Sequence, residues 1–572
     1  MNPIQVGKLT ITPNLEKTIK DIHPAIGTVD DTAYVGVWLP CQITDDKGSE
    51  TYKDLLFLVT DKRELLLAND NIFREKGLDW QLEYKPIKFP NRWSLQDVQA
   101  YLNGRTMDPS KVFQKIVNVW KKYMELPDEK EYLYHAIWDI GTYFHHLFNC
   151  YPYIYFGGIK RAGKTKGLTL HHCLSFNAIF SNNMSTAAIY RLIQNARSTL
   201  LIDESEKLAY KGLMSERTRE FRSILLSGYK RGAKTYRVEK TKKDEFHPKP
   251  FETYSPKALA NIQGLEDVIE DRCKPSILKR SRNHKIINLE VEESSELFSE
   301  LRSELCVLFL ENWREIQHIY DKIGGLGELS EVVNLKEIPD YQLLVGRELE
   351  LWKGIIALSI FFDKKGVSSE LNEVVNVKKI PHIKKREGSI SKFTSSLSSL
   401  NTLILKLAIE DAKQRQTENT TETGEVILTQ ILLHVVKEDN YYPVKTLKDK
   451  MLEAFDEEQK WITTRWIGNA LRRLGFKEKR RVGTGYQYKL NKADVEDLAA
   501  RLGLETVTKT ELEKLEEVKK WILENKIDGV ISASELNGKI IEQGFDPQQI
   551  VQKLEAEGFL FGVTELNAWG VT

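Results

Sequence analysis

Residues 158–165 read Gly158-Ile159-Lys160-Arg161-Ala162-Gly163-Lys164-Thr165, and the apolar run Ile154-Tyr155-Phe156 stands just before them. The pattern is GxxxxGK(S/T), which binds nucleotide phosphates in a loop between a strand and a helix. Its glycines, Gly158 and Gly163, let backbone N–H groups face the phosphates. Lys164 reaches the β- and γ-phosphates, and the Thr165 hydroxyl binds Mg²⁺. The sequence therefore predicts a strand, a phosphate-binding loop and a helix whose N-terminus points at bound ATP.

A second motif follows downstream. The run Thr199-Leu200-Leu201-Ile202-Asp203-Glu204 is an apolar strand that ends in two carboxylates, as a Walker B motif does. We expect Asp203 to hold Mg²⁺, largely through its water shell, and Glu204 to polarise the attacking water. The alternative is a Gly-rich turn and an unrelated strand with a charged end, which the order of the two motifs disfavours. ATP and Mg²⁺ are the predicted ligands.

Length and composition describe a soluble chain of several domains. At 572 residues the chain is too long for one hydrophobic core, and about three to five domains are expected. The formal net charge of +1 means that any nucleic-acid contact must come from a local basic patch. Five dispersed cysteines, no signal-peptide pattern and no apolar run of bilayer length predict a reducing, cytoplasmic setting without a membrane partner.

Periodicity predicts a multidomain fold that combines α/β, helical and β-rich parts. The polar, aromatic-free stretch Gln414–Gly424 is predicted to be a linker. The predicted segments are a β-rich N-terminal accessory domain (1–105), a helical lead-in (106–150), an α/β P-loop ATPase core (151–292), a helical lid (293–413), a winged helix (425–492) and a second, smaller winged-helix-like domain (510–572).

Three further side chains are predicted to complete the hydrolysis site. Asn261 stands at the tip of a strand beside the Walker B strand, where a polar side chain orients the lytic water. Arg272 is placed to act as an arginine finger on a neighbouring subunit's ATP; a surface ion pair with Asp271 or Glu270 is the alternative. Arg347 is either a second sensor that contacts γ-phosphate from the helical lid or an arginine on a helix surface.

A basic hairpin is predicted between Walker B and the next core strand. Lys234–Glu239 reads as one strand, Glu245–His247 as its return, and the turn between them carries Lys240, Lys242 and Lys243. Lysines at a loop tip have the charge and reach that phosphate contacts need, so we predict single-stranded DNA binding there. The alternative is a solvated lysine run.

The C-terminal region has the order of a winged helix. The helix Thr463–Gly475 buries one apolar stripe and shows basic residues on its other face, and a basic hairpin follows it. We predict duplex DNA binding here, with a protein contact as the alternative. The acidic segment 510–572 favours contact with other replication proteins. The predicted DNA-binding residues of the helix and the wing are Arg465, Arg472, Arg473, Lys479, Arg480 and Arg481.

Between about residues 130 and 490 the chain resembles helicase-like P-loop ATPases of the AAA+ type that archaeal and phage mobile elements carry. That family is related to the helicase half of plasmid primase–helicases and more distantly to the minichromosome-maintenance helicases. The likeness rests on the P-loop and on Tyr151-Pro152-Tyr153, Leu201-Ile202-Asp203-Glu204, Ser227–Gly232, Ser255–Ala260, Asp271-Arg272-Cys273 and Trp461–Phe476. The resemblance implies an ATPase that acts in replication as a homo-hexamer, from an archaeal host or element.

Two departures from the family pattern bear on activity. The loop holds Lys160 and Arg161 where the family commonly has small residues, which puts the usual nucleotide affinity in doubt. No primase carboxylate pattern precedes residue 130, which disfavours priming.

Two function classes therefore stand. The first is an ATP-driven, ring-forming DNA helicase or translocase. The second is an ATP-gated DNA-binding initiator or helicase loader that does not unwind processively. A third class, an ATPase that regulates defence or transposition, has no motif in its favour.

Overall fold

The computed structural model describes residues 3–12, 18–89, 93–181, 184–203, 216–240, 246–261, 264–333, 335, 338–367, 399–422, 424–453, 462–483, 485–501, 504, 518–526, 530–542, 547, 550–551, 554, 559–563 and 568–571. The chain divides into two compact units, Met1–Gln414 and Arg415–Thr572. Helices, antiparallel sheets and one larger parallel sheet are present, which confirms the prediction of a multidomain α/β chain.

Strands dominate the first part of the first unit. They are β1 (Ile4–Val6), β2 (Leu9–Ile11), β3 (Lys20–Ile22), β4 (Ile26–Val29), β5 (Thr32–Thr44), β6 (Glu50–Thr60), β7 (Leu65–Leu67) and β8 (Trp80–Leu82), with helix α1 (Asp70–Glu75) before β8. Strands β4 to β7 form an antiparallel sheet in sequence order. Because side chains alternate along a strand, Val35 and Val37 on β5 pack into the main core, while Tyr34 packs with Leu58 in a second cluster.

Three helices connect this region to the parallel sheet: α2 (Leu95–Leu102), α3 (Pro109–Tyr123) and α4 (Glu129–Gly141). Each begins after a capping residue whose side chain accepts a backbone N–H of the first turn, namely Ser94, Asp108 and Asp128. Helix α4 is buried from Glu131 to Gly141, so it is a central element of the core rather than a surface helix.

The parallel sheet organises the middle of the first unit. The strands of this region are β9 (Tyr153–Gly157), β10 (Ile179–Phe180), β11 (Leu200–Ile202), β12 (Lys234–Lys240), β13 (Phe246–Glu252), β14 (Lys257–Ala260) and β15 (Cys273–Ile277). The helices are α5 (Lys164–Leu174), α6 (Thr186–Ala196), α7 (Glu216–Ser227) and α8 (Asp267–Glu270). Five strands run parallel in the order β10-β11-β14-β9-β15, and β12 pairs with β13 as a separate antiparallel hairpin.

Local sequence explains why β9 and β11 are interior strands. Ile154-Tyr155-Phe156 and Leu200-Leu201-Ile202 are continuous apolar runs, and every residue in them is buried. Parallel strands that are covered on both faces show this pattern instead of alternation. All five carboxyl ends lie at one edge of the sheet, which is where α/β proteins bind ligands.

Helices make up the rest of the first unit: α9 (His284–Asn288), α10 (Glu296–Lys322), α11 (Leu326–Val332), α12 (Arg347–Lys364) and the first part of α13 (Leu400–Glu422), which continues into the second unit. The predicted linker Gln414–Gly424 lies at the boundary between the two units, and it is helical as far as Glu422. Ile404, Leu405 and Ala408 are fully buried and anchor the start of this helix. It then extends across polar residues, since neither Gly nor Pro interrupts it before Gly424.

The described residues of the second unit form two small antiparallel sheets with helices. Its elements are α14 (Gly424–Val435), β16 (Asn440–Pro443), α15 (Val444–Glu453), α16 (Thr464–Arg473), β17 (Lys479–Val482), β18 (Gly485–Leu490), α17 (Lys492–Arg501), β19 (Val530–Ser532), α18 (Ala533–Glu542), β20 (Leu560–Val563) and β21 (Ala568–Val571). The sheets have the orders β16-β18-β17 and β19-β21-β20. Within the described residues, no helix has the length and apolar composition needed to cross a membrane.

Candidate functional site: a phosphate loop at the sheet edge

The phosphate loop joins the carboxyl end of β9 to the first turn of α5. Gly158 has a φ of +125°, and a Cβ added there would lie 2.3 Å from the Leu278 carbonyl oxygen. Gly163, the residue before α5, has a φ of +92°. L-residues rarely adopt these φ values, so both positions favour glycine. The loop therefore lies against the N-terminus of α5, where unpaired N–H groups and the helix dipole favour anions.

Lys164 and Thr165 open α5. The Lys164 ammonium donates to the carbonyl oxygen of Gly158 at 2.7 Å and to that of Ile159 at 2.9 Å. Thr165 Oγ1 donates to Asp203 Oδ2 at 2.8 Å. Asp203 directly follows β11, so the parallel sheet brings together two predicted Mg²⁺ ligands that are far apart in sequence. Their contact is the central geometric fact of this site.

The Thr165 and Asp203 side chains fit Mg²⁺ chemically. Mg²⁺ takes oxygen ligands in octahedral geometry, is usually bound through only one or two carboxylates and substrate phosphates, and keeps several of its waters. A hydroxyl beside a single carboxylate, at a loop that favours phosphate, supplies that donor set. Glu204, the predicted water-polarising residue, lies outside the described residues.

A cavity of about 300 Å³ opens beside the loop. Tyr123 and Met124 line it from the end of α3, Arg161 and Ala162 from the loop, and Ile286 and Ile287 from α9. No sequence pattern predicts this cavity, because its walls come from segments far apart in the chain. Basic residues also border it: Lys166 on α5, and Lys279 and Arg280 after β15.

Lys166 fixes one wall of this cavity to α5. Its ammonium donates to the carbonyl oxygens of Ile286 at 2.8 Å and Leu289 at 2.7 Å, which lie at the C-terminal end of α9. Burial lowers the pKa of Lys166, and the Glu290 carboxylate opposes that shift. The lysine thus joins α5 to the C-terminal end of α9, where the Ile286 carbonyl oxygen also accepts from the Leu289 N–H.

Asn261 follows β14 and lies at the same edge of the sheet as the phosphate loop. Its Oδ1 accepts from the Tyr155 hydroxyl at 2.7 Å and from the Gly264 N–H at 3.1 Å. Its Nδ2 donates to the Gly264 carbonyl oxygen at 2.6 Å. The side chain is 1% exposed, and its hydrogen bonds join β9 to the loop that follows β14.

Arg272 lies at the opposite edge of the sheet. The Tyr153 N–H, at the start of β9, donates to the Arg272 carbonyl oxygen at 2.9 Å, whereas the phosphate loop follows the last residue of β9. Five residues of extended strand separate the two edges by about 16 Å. Its guanidinium donates to the carbonyl oxygens of Leu226 and Val268 and stacks on the Tyr229 ring. Arg272 is therefore not brought to the phosphate loop of its own chain.

Arg347 lies beside Arg272. Arg347 Nε is 2.9 Å from Asp271 Oδ2, and the guanidinium carbon is 4.8 Å from the centre of the Tyr229 ring. Asp271 and Tyr229 both belong to the edge away from the phosphate loop. The structure does not bring Arg347 to that loop as a γ-phosphate sensor, because the ion pair with Asp271 holds it at the other edge.

The predicted basic hairpin is formed by β12 and β13. Tyr236 and Val238 on β12 are 66% and 65% exposed, respectively. Arg237, between them, turns to the body of the unit and pairs with Glu220 at 2.8 Å. Lys240 ends β12, whereas Lys242 and Lys243 lie outside the described residues.

In the second unit, a groove separates α16 from the hairpin of β17 and β18. Its lining includes the predicted residues Arg465 and Arg472 on α16 and Lys479 on β17, together with Lys445. Arg465 and Arg472 share one face of α16, while Ile467, Ala470 and Leu471 are buried on the other. The Tyr488 hydroxyl donates to the Gly468 carbonyl oxygen at 3.1 Å and fixes the hairpin to the helix.

The three other predicted residues of this region, Arg473, Arg480 and Arg481, are not among those that line the groove. Arg473 Nε donates to Glu425 Oε1 at 2.9 Å, so it pairs with α14 instead of lining the groove. Arg480 stacks on Tyr441, with 4.0 Å between guanidinium and ring centre, and its Nε donates to Gln487 at 2.9 Å. Arg481 is exposed on β17. For Arg473 and Arg480, sequence position alone did not distinguish them from the groove residues, because their partners Glu425 and Tyr441 belong to other elements.

Comparison with known proteins adds little to this geometry. No family model and no curated protein matches the sequence. Among solved structures, the chain is similar to one described as "SCCmec type IV Cch - active helicase", with 10% identical residues and a TM-score of 0.29. The match covers 85% of this chain and 100% of that chain. A likeness at this level carries no argument about function, which must come from the site.

A buried polar cluster supports the phosphate-loop helix from behind. Asp139 on α4 is fully buried, and its Oδ1 accepts from His171 Nδ1 at 2.7 Å and from Ser175 Oγ at 2.6 Å. Its Oδ2 accepts from Trp120 Nε1 at 2.9 Å. The carboxylate therefore joins α3, α4 and α5 in the core. No local sequence pattern indicates this cluster, because its members come from three helices.

The Asp139→Asn substitution is expected to lower the free energy of unfolding by about 2 kcal/mol, because the amide keeps only one acceptor oxygen and its NH2 group then faces a buried donor. Chemical denaturation of the full chain measures the change. Asp45→Asn is the matched control, since Asp45 caps an exposed turn in which asparagine serves equally well. Equal stability of the two variants would contradict the role of Asp139.

Proposed function

We propose that the chain is an ATP-dependent DNA helicase or translocase with an AAA+-type core that acts as a ring. The contact between Thr165 and Asp203 at the carboxyl edge of the parallel sheet carries the proposal. The strand order supports it as well, since β14 lies between β9 and β11 and carries Asn261 to the same edge. A phosphate loop, a metal-binding pair and an amide at one edge are the parts that nucleotide hydrolysis needs.

In the proposed reaction, the loop N–H groups and Lys164 bind the ATP phosphates. Thr165 and Asp203 hold Mg²⁺, which neutralises charge on the β- and γ-phosphates when it is bound. Glu204 polarises the attacking water, and Asn261 helps to orient it. Arg272 acts on the ATP of the neighbouring subunit, because it lies at the far edge of its own sheet. In this reaction, Arg347 is proposed only as a neighbour of Arg272 on the same surface.

The DNA contacts are divided between two places in this proposal. The β12–β13 hairpin would bind single-stranded DNA in the ring, through Lys240, Lys242 and Lys243. The groove of the second unit would bind duplex DNA, since it gathers Arg465, Arg472 and Lys479 beside a helix that can enter the major groove. Basic groups in a concave surface attract phosphates without requiring a net positive chain.

Replacing Arg465 by alanine is expected to weaken duplex DNA binding about tenfold, which is ~1.4 kcal/mol, and to reduce the salt slope by about one. The reason is the loss of one cationic contact from the groove. Fluorescence anisotropy at several salt concentrations measures both quantities.

Arg473→Ala is the matched control for Arg465→Ala. Both arginines belong to α16, but Arg473 pairs with Glu425 outside the groove. The control should bind duplex DNA with nearly wild-type affinity and salt slope. If both variants lose the same affinity, general helix charge and not the groove determines binding.

The groove also favours a second candidate function, an ATP-gated DNA-binding initiator or helicase loader. In that case duplex binding in the second unit is the main activity and hydrolysis resets assembly. ATP-dependent strand displacement on a forked duplex distinguishes the two. Displacement with ATP, but not with a non-hydrolysable analogue, supports the motor. Tight binding and DNA-stimulated hydrolysis without displacement support the initiator or loader.

The assembly and the setting follow from the resemblance described above. We propose a homo-hexamer that acts in the replication of an archaeal genome or mobile element, in the cytoplasm. Residues 510–572 would contact other replication proteins. Size-exclusion chromatography with light scattering, with and without ATP, measures the ring size.

A further inference from the structure

A buried lysine lies at the opposite end of β14 from Asn261. Lys257 is 0% exposed. Its ammonium donates to the carbonyl oxygens of Gly228 and Thr253, each at 3.1 Å, and of Ser255 at 3.0 Å. The nitrogen also lies 4.9 Å from the centre of the Tyr153 ring. Three acceptors match the three donors of a protonated lysine, and the neutral amine has only two.

The three carbonyl groups belong to the two chain segments that enter and leave the basic hairpin. Gly228 follows α7 and precedes β12, whereas Thr253 and Ser255 follow β13. Further hydrogen bonds close the base of the hairpin, including Thr253 N–H to the Ala233 carbonyl oxygen at 3.2 Å. The Lys257 ammonium therefore joins the incoming segment, the outgoing segment and the first residue of a sheet strand.

The same strand ends at the edge of the sheet where the phosphate loop lies. Strand β14 spans Lys257–Ala260, and Asn261 follows it directly. Both ends contact tyrosines of β9: Lys257 lies over the Tyr153 ring, and Asn261 accepts from the Tyr155 hydroxyl at 2.7 Å. A movement at the base of the hairpin thus acts on one end of a short, fully buried strand whose other end bears Asn261.

A charged side chain at this buried position destabilises the fold if its only role is to fill space. Burial lowers the pKa of Lys257 well below its ordinary value, which opposes the protonated form. An apolar side chain of similar length would fill the space without that cost. What the ammonium adds is direction, because it fixes three separate carbonyl groups around one point.

We propose that Lys257 is a positioning residue that couples DNA contact at the β12–β13 hairpin to ATP hydrolysis at the phosphate loop. This inference rests on the proposed function, since it assumes an ATPase that binds DNA through the hairpin. The residue proposed to regulate the hydrolysis site is Lys257, which transmits the state of the hairpin along β14 to Asn261. Neither ATP nor DNA contacts Lys257 in this arrangement, because the residue is fully buried.

The test is steady-state ATP hydrolysis by the full chain, with and without a saturating single-stranded oligonucleotide of mixed sequence. For Lys257→Met, we expect basal kcat and the KM for ATP to stay close to wild type. DNA stimulation should be lost, so that the ratio of the two kcat values falls to about one. A merely structural role would lower both kcat values together and would leave their ratio unchanged.

A second variant reaches the same group of carbonyls from another residue. A Cβ added at Gly228 would lie 2.3 Å from the Thr253 carbonyl oxygen and 2.5 Å from Lys257 Nζ. Gly228→Ala is therefore expected to displace the ammonium and to lose DNA stimulation as well. It keeps the proposal testable if Lys257→Met does not fold, which thermal unfolding would reveal.

Lys274→Met is the matched control. Lys274 is also a buried lysine of the parallel sheet, but it pairs with Glu131 and lies on β15, away from the hairpin base. We expect this variant to lose stability and to keep DNA stimulation. Loss of stimulation in the control as well would overturn the specific role of Lys257.

The outcomes separate this inference from the function on which it rests. No ATP turnover by the wild type contradicts the proposed function and the inference together. Wild-type turnover without DNA stimulation, or stimulation that persists in Lys257→Met and Gly228→Ala, overturns the coupling role and leaves the ATPase standing. Loss of stimulation in both variants at unchanged basal kcat supports the coupling role.

Discussion

The Arg272→Ala substitution is expected to lower ATP turnover by about 10³–10⁵-fold while ATP binding is retained. An arginine that reaches the γ-phosphate stabilises the charge that develops on it in the transition state. It contributes less to ground-state binding, so kcat should fall far more than nucleotide affinity. Steady-state hydrolysis and equilibrium binding of a fluorescent ATP analogue measure the two quantities separately.

The fold explains why this effect requires a neighbouring subunit. Arg272 precedes β15 at the edge where β9 begins, about 16 Å of strand away from the phosphate loop. Its guanidinium stacks on Tyr229 and donates to carbonyl groups, so the side chain is held in a defined direction on that surface. An arginine so placed can contact ATP only if another copy of the chain presents its phosphate loop there.

Mixed assemblies test the trans arrangement. An interface between the intact loop of an Arg272→Ala subunit and the intact arginine of a Lys164→Ala subunit is complete, so mixtures should recover some of the lost turnover. Arg222→Ala is the matched control, because Arg222 pairs with Glu266 in the same region and should matter little for hydrolysis. Unchanged turnover in Arg272→Ala, or no recovery in mixtures, would contradict the role in trans.

Local motifs predict the parts of this protein that depend on neighbours in sequence. The phosphate loop needs glycine at Gly158 and Gly163, and the structure shows positive φ at both. The apolar runs before the loop and before Asp203 predict interior parallel strands. Because such strands share one edge, sequence patterns alone predict that Thr165 and Asp203 lie at that edge, whereas their contact also depends on the strand order β11-β14-β9.

Long-range partners decide the features that sequence patterns miss. Nothing near Arg473 in the chain indicates that Glu425 draws it away from the groove. The sequence predicts Arg347 as a candidate sensor on the helical lid, but its ion pair with Asp271 holds it at the other edge of the sheet. The same holds for the cavity beside the loop, whose walls come from α3, the loop and α9.

Sequence patterns also fail to predict buried charged side chains. Lysine and aspartate are seldom buried without partners, so residue type alone indicates surface positions for Lys257 and Asp139. Their partners here are backbone carbonyls for Lys257 and three side-chain donors for Asp139. Only the folded arrangement shows that both sites are satisfied.

Replacing Lys164 by alanine is expected to lower ATP turnover by about 10²–10³-fold and to remove strand displacement. The ammonium lies on the loop, 2.7 Å from the Gly158 carbonyl oxygen, where it can exchange that partner for a phosphate oxygen. Its loss removes a charge that the developing negative charge needs. Single-turnover hydrolysis and displacement of a forked duplex measure the two effects.

Lys160→Ala is the control that tests the geometry of the loop rather than its charge. Lys160 belongs to the same loop and carries the same charge, but its side chain is exposed, and its backbone carbonyl oxygen accepts from Arg280 Nε at 3.0 Å. Because that contact does not use the Lys160 ammonium, turnover should stay within about a factor of three of wild type. An equal loss in both variants would mean that the summed positive charge of the loop, and not the position of each lysine, determines turnover. The specific position of Lys164 at the first turn of α5 would then not explain hydrolysis.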